Sequence, residues 1–366
     1  MATELRLCYS GDYLAHVAAS LSRQTRLSEQ DFMAFVTAGD WADFALKERM
    51  SRLTEALLQF LPGPFEEDLE ILGRILPDIS TDRFKYADML AMFVPDYVVA
   101  RGQDKLEISL DALCAFTALG TTSELAIRPF IQAHPDIVME KMLEWSAHQH
   151  PHIRRFSCEG CRPRLPWAMA LPALKKDPAP ILPILERLRR DDSKFVRKSV
   201  ANNLNDITKD NPDTALAFAE KWLGSHKNSD WIIKHGMRSL LKQGNKRALA
   251  LFGSGPVTAR EISLTLSRDQ VSMGDILEFQ FKAVLEGLLP ETLRIDYAID
   301  FMKSNGKPSR KVFRISEISD PETNISFSKS YRFEDLTTRK HYAGEHRISV
   351  ILNGQEVTAV TFTLHM

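Results

Sequence analysis

In residues 193–210, Lys198, Asn202 and Asp206 stand four apart, a spacing that projects side chains from one column of a helix. The preceding segment places Arg155 and Glu159 in equivalent positions, and the following one places Lys234, Arg238 and Lys242 there. Glu124 and Arg128 repeat the spacing in SELAIRPF. Cations aligned in this way hold a polyanion. Glu159 and Asp206 would repel the same ligand, so acids at such places serve a step other than affinity.

Two further features flank Glu159 in RRFSCEGCRPRLPW. Cys158 and Cys161 form a lone CxxC. No second pair completes a tetrahedral zinc site, and Cys8 and Cys114 lie in other segments. The thiols read as small half-buried groups between helices in preference to a metal or redox pair. No metal and no cofactor is expected. Pro163 and Pro166 then force irregular backbone ahead of Trp167. That indole is either a stacking platform beside a carboxylate or a cap on the helical core. His148, His150 and His152 alternate in a proline-containing turn, which is poor helical metal geometry and suits a polar loop that touches phosphate. Trp145, Trp222 and Trp231 lie in amphipathic stretches and read as helix contacts.

The elements that position these residues follow from pattern. With 366 residues, 44% of them hydrophobic, the chain can bury the cores of two domains. The net charge of −1 hides a concentration of cations, since residues 151–250 carry about 20 Lys and Arg against about 10 Asp and Glu. That excess is either a polyanion-binding face or a solvated helical surface. No signal-peptide run or membrane span is legible, and four scattered cysteines fit a reducing compartment, so a cytoplasmic protein is expected.

Up to residue 252 apolar residues recur at helical spacing. Arg155 aligns with Lys198, and Lys198 with Lys234, offsets (43 and 36 in residue number) that suit a HEAT-like α-solenoid. In the middle unit Ser193 is the expected N-cap, and Val196, Val200, Leu204 and Ile207 the buried stripe. Gly253, Ser254, Gly255 and Pro256 read as a linker. Beyond them seven short alternating runs separated by turn signals, among them Asn353-Gly354, predict an all-β sandwich. The expected fold is therefore mainly α, with a helical domain over 1–252 followed by an immunoglobulin-like sandwich over 257–366.

The stretches TSELAIRPF, HIRRFSCEGCRPRLPW and FVRKSVANNLNDITKDNPD resemble the AlkC branch of the AlkC/AlkD alkylbase DNA glycosylases, and WADFALKERMSRLTEALLQFLP fits the same pattern. The similarity runs through about the first 250 residues, and the β region resembles the immunoglobulin-like domain that some AlkC proteins carry. The resemblance implies a bacterial base-excision repair enzyme that is associated with the nucleoid when bound to DNA. Its expected partner is duplex DNA containing 3-methyladenine, 3-methylcytosine or 1-methyladenine, with no membrane partner and a monomeric state. The matching site positions are Glu124, Arg155, Glu159, Trp167 and Asp206.

The chemistry such residues could perform agrees with this. A base methylated on a ring nitrogen is already cationic and leaves without a general acid. What needs stabilising is the oxocarbenium-like sugar, and what needs orienting is a water. Asp206, Glu159 and Glu124 are the expected catalytic acids; Trp167 and Arg155 would bind the lesion. The expected phosphate contacts are Arg162, Arg164, Lys194, Arg197, Lys198, Lys234 and Arg238 from the helices, with Lys307, Arg310 and Arg339 from the sandwich. The alternative is a non-catalytic HEAT-repeat scaffold that binds DNA or a protein.

Overall fold

The computed structural model describes residues 2–336 and 339–366. It forms two compact units. The first takes the chain up to Ala215 together with Trp222–Gly236; the second takes Leu216–Lys221 together with Met237–Met366.

The first unit is helical and solenoid-like. Helix Pro151–Glu159 packs against Lys194–Asp210, which in turn packs against Lys227–Gly236. These three carry the aligned Arg155, Lys198 and Lys234. Pro135 and Pro151 begin their helices at positions where a missing N–H costs nothing. In Lys194–Asp210 the residues Val196, Val200, Leu204 and Ile207 are buried as the periodicity requires. Ser193 occupies the N-cap position, yet its side chain makes no capping bond. Asp191 Oδ1 instead accepts from Ser193 N at 2.8 Å, and Arg197 reaches back to the carbonyls of Asp191 and Asp192 at 2.9 and 2.8 Å. Gly160 ends the site-bearing helix where a Cβ would stand 2.7 Å from Ile127 Cγ2, so only glycine allows this approach.

The second unit holds eight strands: β1 (Thr258–Leu266), β2 (Gln270–Ser272), β3 (Ile276–Glu286), β4 (Thr292–Met302), β5 (Pro308–Ser319), β6 (Asn324–Arg332), β7 (Gly344–Leu352) and β8 (Gln355–His365). They form one sheet in the order β1-β3-β6 and another in the order β2-β8-β7-β4-β5. Seven match the alternating runs. The additional strand, β2, spans three residues and runs parallel to β8, too short for alternation to reveal it. Asn353 and Gly354 join β7 to β8 with φ of 42° and 79°, the paired left-handed conformations of a tight hairpin.

Gly253, Ser254, Gly255 and Pro256 are not a free tether. Thr292 N donates to Gly253 O at 3.0 Å, and Asn353 Nδ2 donates to Gly255 O at 2.7 Å. The turn chemistry was legible, but its partners lie about 40 and 100 residues away in sequence, beyond the reach of local pattern.

Candidate active site

The C-terminal end of helix Pro151–Glu159 and the loop that follows it form one wall of a cleft of about 370 Å³. Glu124, Arg155, Glu159, Arg162, Trp167 and Phe195 are among its lining residues, together with Asp88 and His152. The volume falls in the range that takes a small organic group.

Arg155 pairs with Glu124 through Nη1, and its Nη2 stands 3.8 Å from Glu159 Oε1. Its guanidinium lies 4.5 Å from the ring centroid of Phe195, an arrangement worth about 0.5 to 2 kcal/mol. Burial holds this guanidinium below its ordinary value against the pull of Glu159. Glu124 precedes helix Ile127–Ala133 in a turn, so it does not share a helical face with Arg128. Arg128 is fully buried and turns away from any column, donating to the carbonyls of Gly160, Arg162 and Met169.

Glu159 and Asp206 are both buried and are joined by one cation. Arg162 donates Nη1 to Glu159 Oε1 at 2.6 Å and Nε to Asp206 Oδ2 at 2.9 Å. Burial alone would lower this guanidinium, but Glu159 and Asp206 outweigh it and hold it above its ordinary value. Ser199 Oγ donates to Glu159 Oε2 at 2.6 Å, and Lys209 Nζ lies 3.0 Å from Asp206 Oδ1. Asp206 does not line the cleft; it is connected to it through Arg162. Arg162, expected to hold a phosphate, is therefore buried between two carboxylates, because only a charge placed there compensates both.

The other expected cations divide by what they already touch. Lys194 and Lys198 are exposed on helix Lys194–Asp210. Arg164 makes a two-pronged pair with Asp210 at 2.7 and 2.6 Å, which raises the guanidinium and lowers the carboxyl. Arg197 is turned to backbone carbonyls. Lys234 is half-buried, and its helix stops at Gly236; Arg238 starts another helix, so the sequence column is broken at Met237.

In the second unit Lys307 is exposed in the β4–β5 hairpin. Arg310 is engaged across the sheet by Asp300 and Glu356, and these partners raise it. Arg339 lies over the Phe301 ring at 4.5 Å and donates to Tyr331 Oη at 2.7 Å. Neither arginine projects freely, because cross-strand neighbours and an aromatic cluster supply partners that a loop-by-loop reading does not reveal.

Trp167 has φ of 66° and is 43% exposed. A bulky residue in the left-handed region carries strain of about 1 to 3 kcal/mol that its surroundings must offset. The indole stands at the cleft. Both Cys158 and Cys161 are fully buried, and burial pushes the Cys158 thiol up to about 12. Asn203 donates to the Cys158 carbonyl at 2.8 Å beside them. Among the described residues no group of His, Cys, Asp and Glu is arranged to hold a metal. Trp145 is buried and stacks on Phe156, Trp222 lies under Arg189, and Trp231 stacks on His235. His148 accepts from His150 N in the turn, whereas His152 faces the cleft against Phe195 and burial lowers it. Sequence reasoning missed Phe195, Ser199 and Asp88; the spacing of Phe195 from Lys194 and Lys198 gave no signal that it would meet Arg155.

Residues 120–240 match the family model described as DNA alkylation repair enzyme, and residues 261–366 match the C-terminal Ig-like domain of the uncharacterised protein YhaZ. The uncharacterized protein YhaZ of Bacillus subtilis (strain 168) is 42% identical over 96% of this chain and 97% of its own. The solved structure of the Pseudomonas fluorescens alkylpurine DNA glycosylase AlkC, bound to DNA containing an abasic site analog, is 33% identical, covers 99% of each chain and has a TM-score of 0.91.

The chain belongs to the AlkC family.

In this AlkC-family chain the carboxylates, the aromatic rings and Arg155 occur within one helical unit, and the Ig-like match falls within the unit that holds the eight strands. Among the described residues no helix is long and apolar enough to cross a membrane.

Proposed function

We infer that this chain is a monofunctional DNA N-glycosylase acting in alkylation repair, with residues 1–252 as a HEAT-like catalytic domain and 257–366 as a DNA-engaging sandwich. The observation that carries this is the pair of buried acids, Glu124 and Glu159, opening onto a cleft walled by Trp167 and Phe195. Phosphate binding alone gains nothing from such acids. The AlkC of P. fluorescens, whose fold this chain shares, was solved on DNA with an abasic site analog, the kind of product this reaction leaves.

The substrates are cationic N-methylated bases in duplex DNA: 3-methyladenine, 3-methylcytosine and 1-methyladenine. The base carries its positive charge into the cleft, where the π faces of Trp167 and Phe195 and the acids favour it over neutral bases. The bond from C1′ to the base nitrogen breaks with its electron pair, so the base departs neutral. The positive charge moves to the sugar. Glu159, which lines the cleft, orients the attacking water, and Asp206, held behind it by Arg162 and Lys209, opposes that charge. Water oxygen bonds to C1′, its proton passes to a carboxylate and then to solvent, and an abasic site remains. Exposed Lys194, Lys198 and Lys307 hold phosphates. The reaction needs no cofactor and cuts no strand. The protein works as a cytoplasmic monomer.

Chromatography of the small molecules released from a duplex with one 3-methyladenine tests this. Free 3-methyladenine with an intact abasic strand is the expected product. Retention of the base on the DNA would favour a scaffold.

A further inference from the structure

We propose that Lys47 and Arg128 are positioning residues that fix Trp167 in the cleft, an inference that rests on the glycosylase reading. Trp167 holds a left-handed conformation in a loop whose own hydrogen bonds are few and long. Ala168 N reaches Leu165 O at 3.4 Å, and Leu171 N reaches Pro163 O at 3.4 Å. Pro163 and Pro166 have no N–H to add. The restraint comes from elsewhere. Arg128, fully buried, gives Nη1 to Gly160 O and Arg162 O, each at 2.8 Å, and Nε to Met169 O at 2.7 Å. One planar guanidinium thus joins the start of the loop to its end. Its rigid fork can serve carbonyls in these directions; an ammonium cannot.

Lys47 completes the clasp. It lies in the first turn of helix Leu46–Phe60 and donates its ammonium to the Trp167 carbonyl, 120 residues away in sequence. A cation at that end opposes the helix dipole, so the helix does not explain the residue. The ring has somewhere to go when released. Trp167 is also a wall of a second cavity of about 260 Å³, lined by Leu46, Met50, Met89, Met92 and Leu125. An unclasped indole can turn into this apolar space and leave the cleft, so the two cations decide which side of the loop the ring serves.

The test is a double-mutant cycle on the full chain. Lys47→Met should lower single-turnover excision of a cationic lesion about tenfold with affinity changed less than about twofold, because a group acting through another group's placement affects the chemical step. In a Trp167→Ala background the same substitution should have no further effect. Lys47→Arg should restore excision. Equal losses in both backgrounds would overturn the proposal, as would no loss in either. Acrylamide quenching of Trp167, taken as the difference between each protein and its Trp167→Phe counterpart, reads the clasp without activity. It should change in Lys47→Met and in Arg128→Lys, and unchanged quenching in folded variants would also overturn it. If the wild type excises nothing, the glycosylase reading fails while the quenching result still decides the clasp.

Discussion

Arg162 Nε stands 2.9 Å from Asp206 Oδ2, and the same guanidinium reaches Glu159 Oε1 at 2.6 Å. The side chains of all three residues are less than a tenth exposed, so this is a buried ion triad with one cation and two anions. Lys209, more exposed, supplies the second positive charge to Asp206.

Removing the shared cation should therefore cost more than removing either anion. Arg162→Met leaves two buried carboxylates without their common partner, which should destabilise the helical unit by about 3 to 5 kcal/mol. Arg162→Lys should recover only part, since one ammonium cannot reach both acids in the same directions. Urea unfolding followed by helical circular dichroism measures both; a change below about 1 kcal/mol for Arg162→Met would mean that the pairing is not maintained in solution.

The thiols should be dispensable. Cys158→Ala with Cys161→Ala should retain excision, and a chelator should not inhibit the wild type. Cys158 and Cys161 are fully buried, and burial pushes the Cys158 thiol up to about 12 and raises Cys161 as well, so both should resist an aromatic disulfide reagent that modifies half-buried Cys8; half-buried Cys114, itself pushed up to about 11, should react slowly. Fast modification of the pair, or loss of activity on chelation, would revive a metal or redox role for CxxC.

The cations proposed to hold phosphates should sort by their present partners. Lys198→Ala should weaken binding to all sequences alike and reduce the slope of log affinity against log salt by about one. Arg310→Ala should change that slope much less, because Asp300 and Glu356 already occupy its guanidinium. Titration of a fluorescent duplex at several salt concentrations distinguishes the two.

The sandwich should weaken in acid. His341 and His346 are buried among Phe301, Phe333 and Phe362, and burial lowers both imidazoles; Arg339 lowers His341 further while Asp335 opposes it. A histidine whose folded value lies below the unfolded value of about 6.5 binds fewer protons folded than unfolded in between, so stability rises with pH there. It is fully present above about pH 6.5 and is lost as pH falls toward the folded values. Amide exchange in β4 and β7 should accelerate at pH 5.5 relative to pH 7.5 after correction for intrinsic rates, and His346→Phe should reduce the difference. Equal protection at both pH values would contradict this.

Much of this architecture was written in local pattern. Val196, Val200, Leu204 and Ile207 are buried because a helix that packs on both sides needs such a stripe, and β3 alternates because one face meets the core, whereas β4 is buried almost throughout. Glu159 and Asp206 were singled out from residue type and spacing, whereas the helical spacing read for Glu124 and Arg128 does not hold, because Glu124 lies in a turn ahead of its helix. What spacing could not supply was pairing across elements. Arg162 looks like any basic loop residue until the helix ahead of it stacks on Lys194–Asp210, and Arg310 until β4 and β8 come near it. Lys47 is the extreme case: its partner is a backbone carbonyl, which carries no residue-type signal at all.

The most direct test of the carboxylate mechanism compares wild type and Asp206→Asn on one duplex with a single 3-methylcytosine, measuring base release in a single turnover and affinity in parallel. Wild type should release the base well above the spontaneous rate. Asp206→Asn should be slower by about 10² or more with equal or tighter binding, since the charge it removes is needed in the transition state and repels DNA in the ground state. Equal rates in the two proteins, or no release by wild type from DNA it binds, would contradict the account.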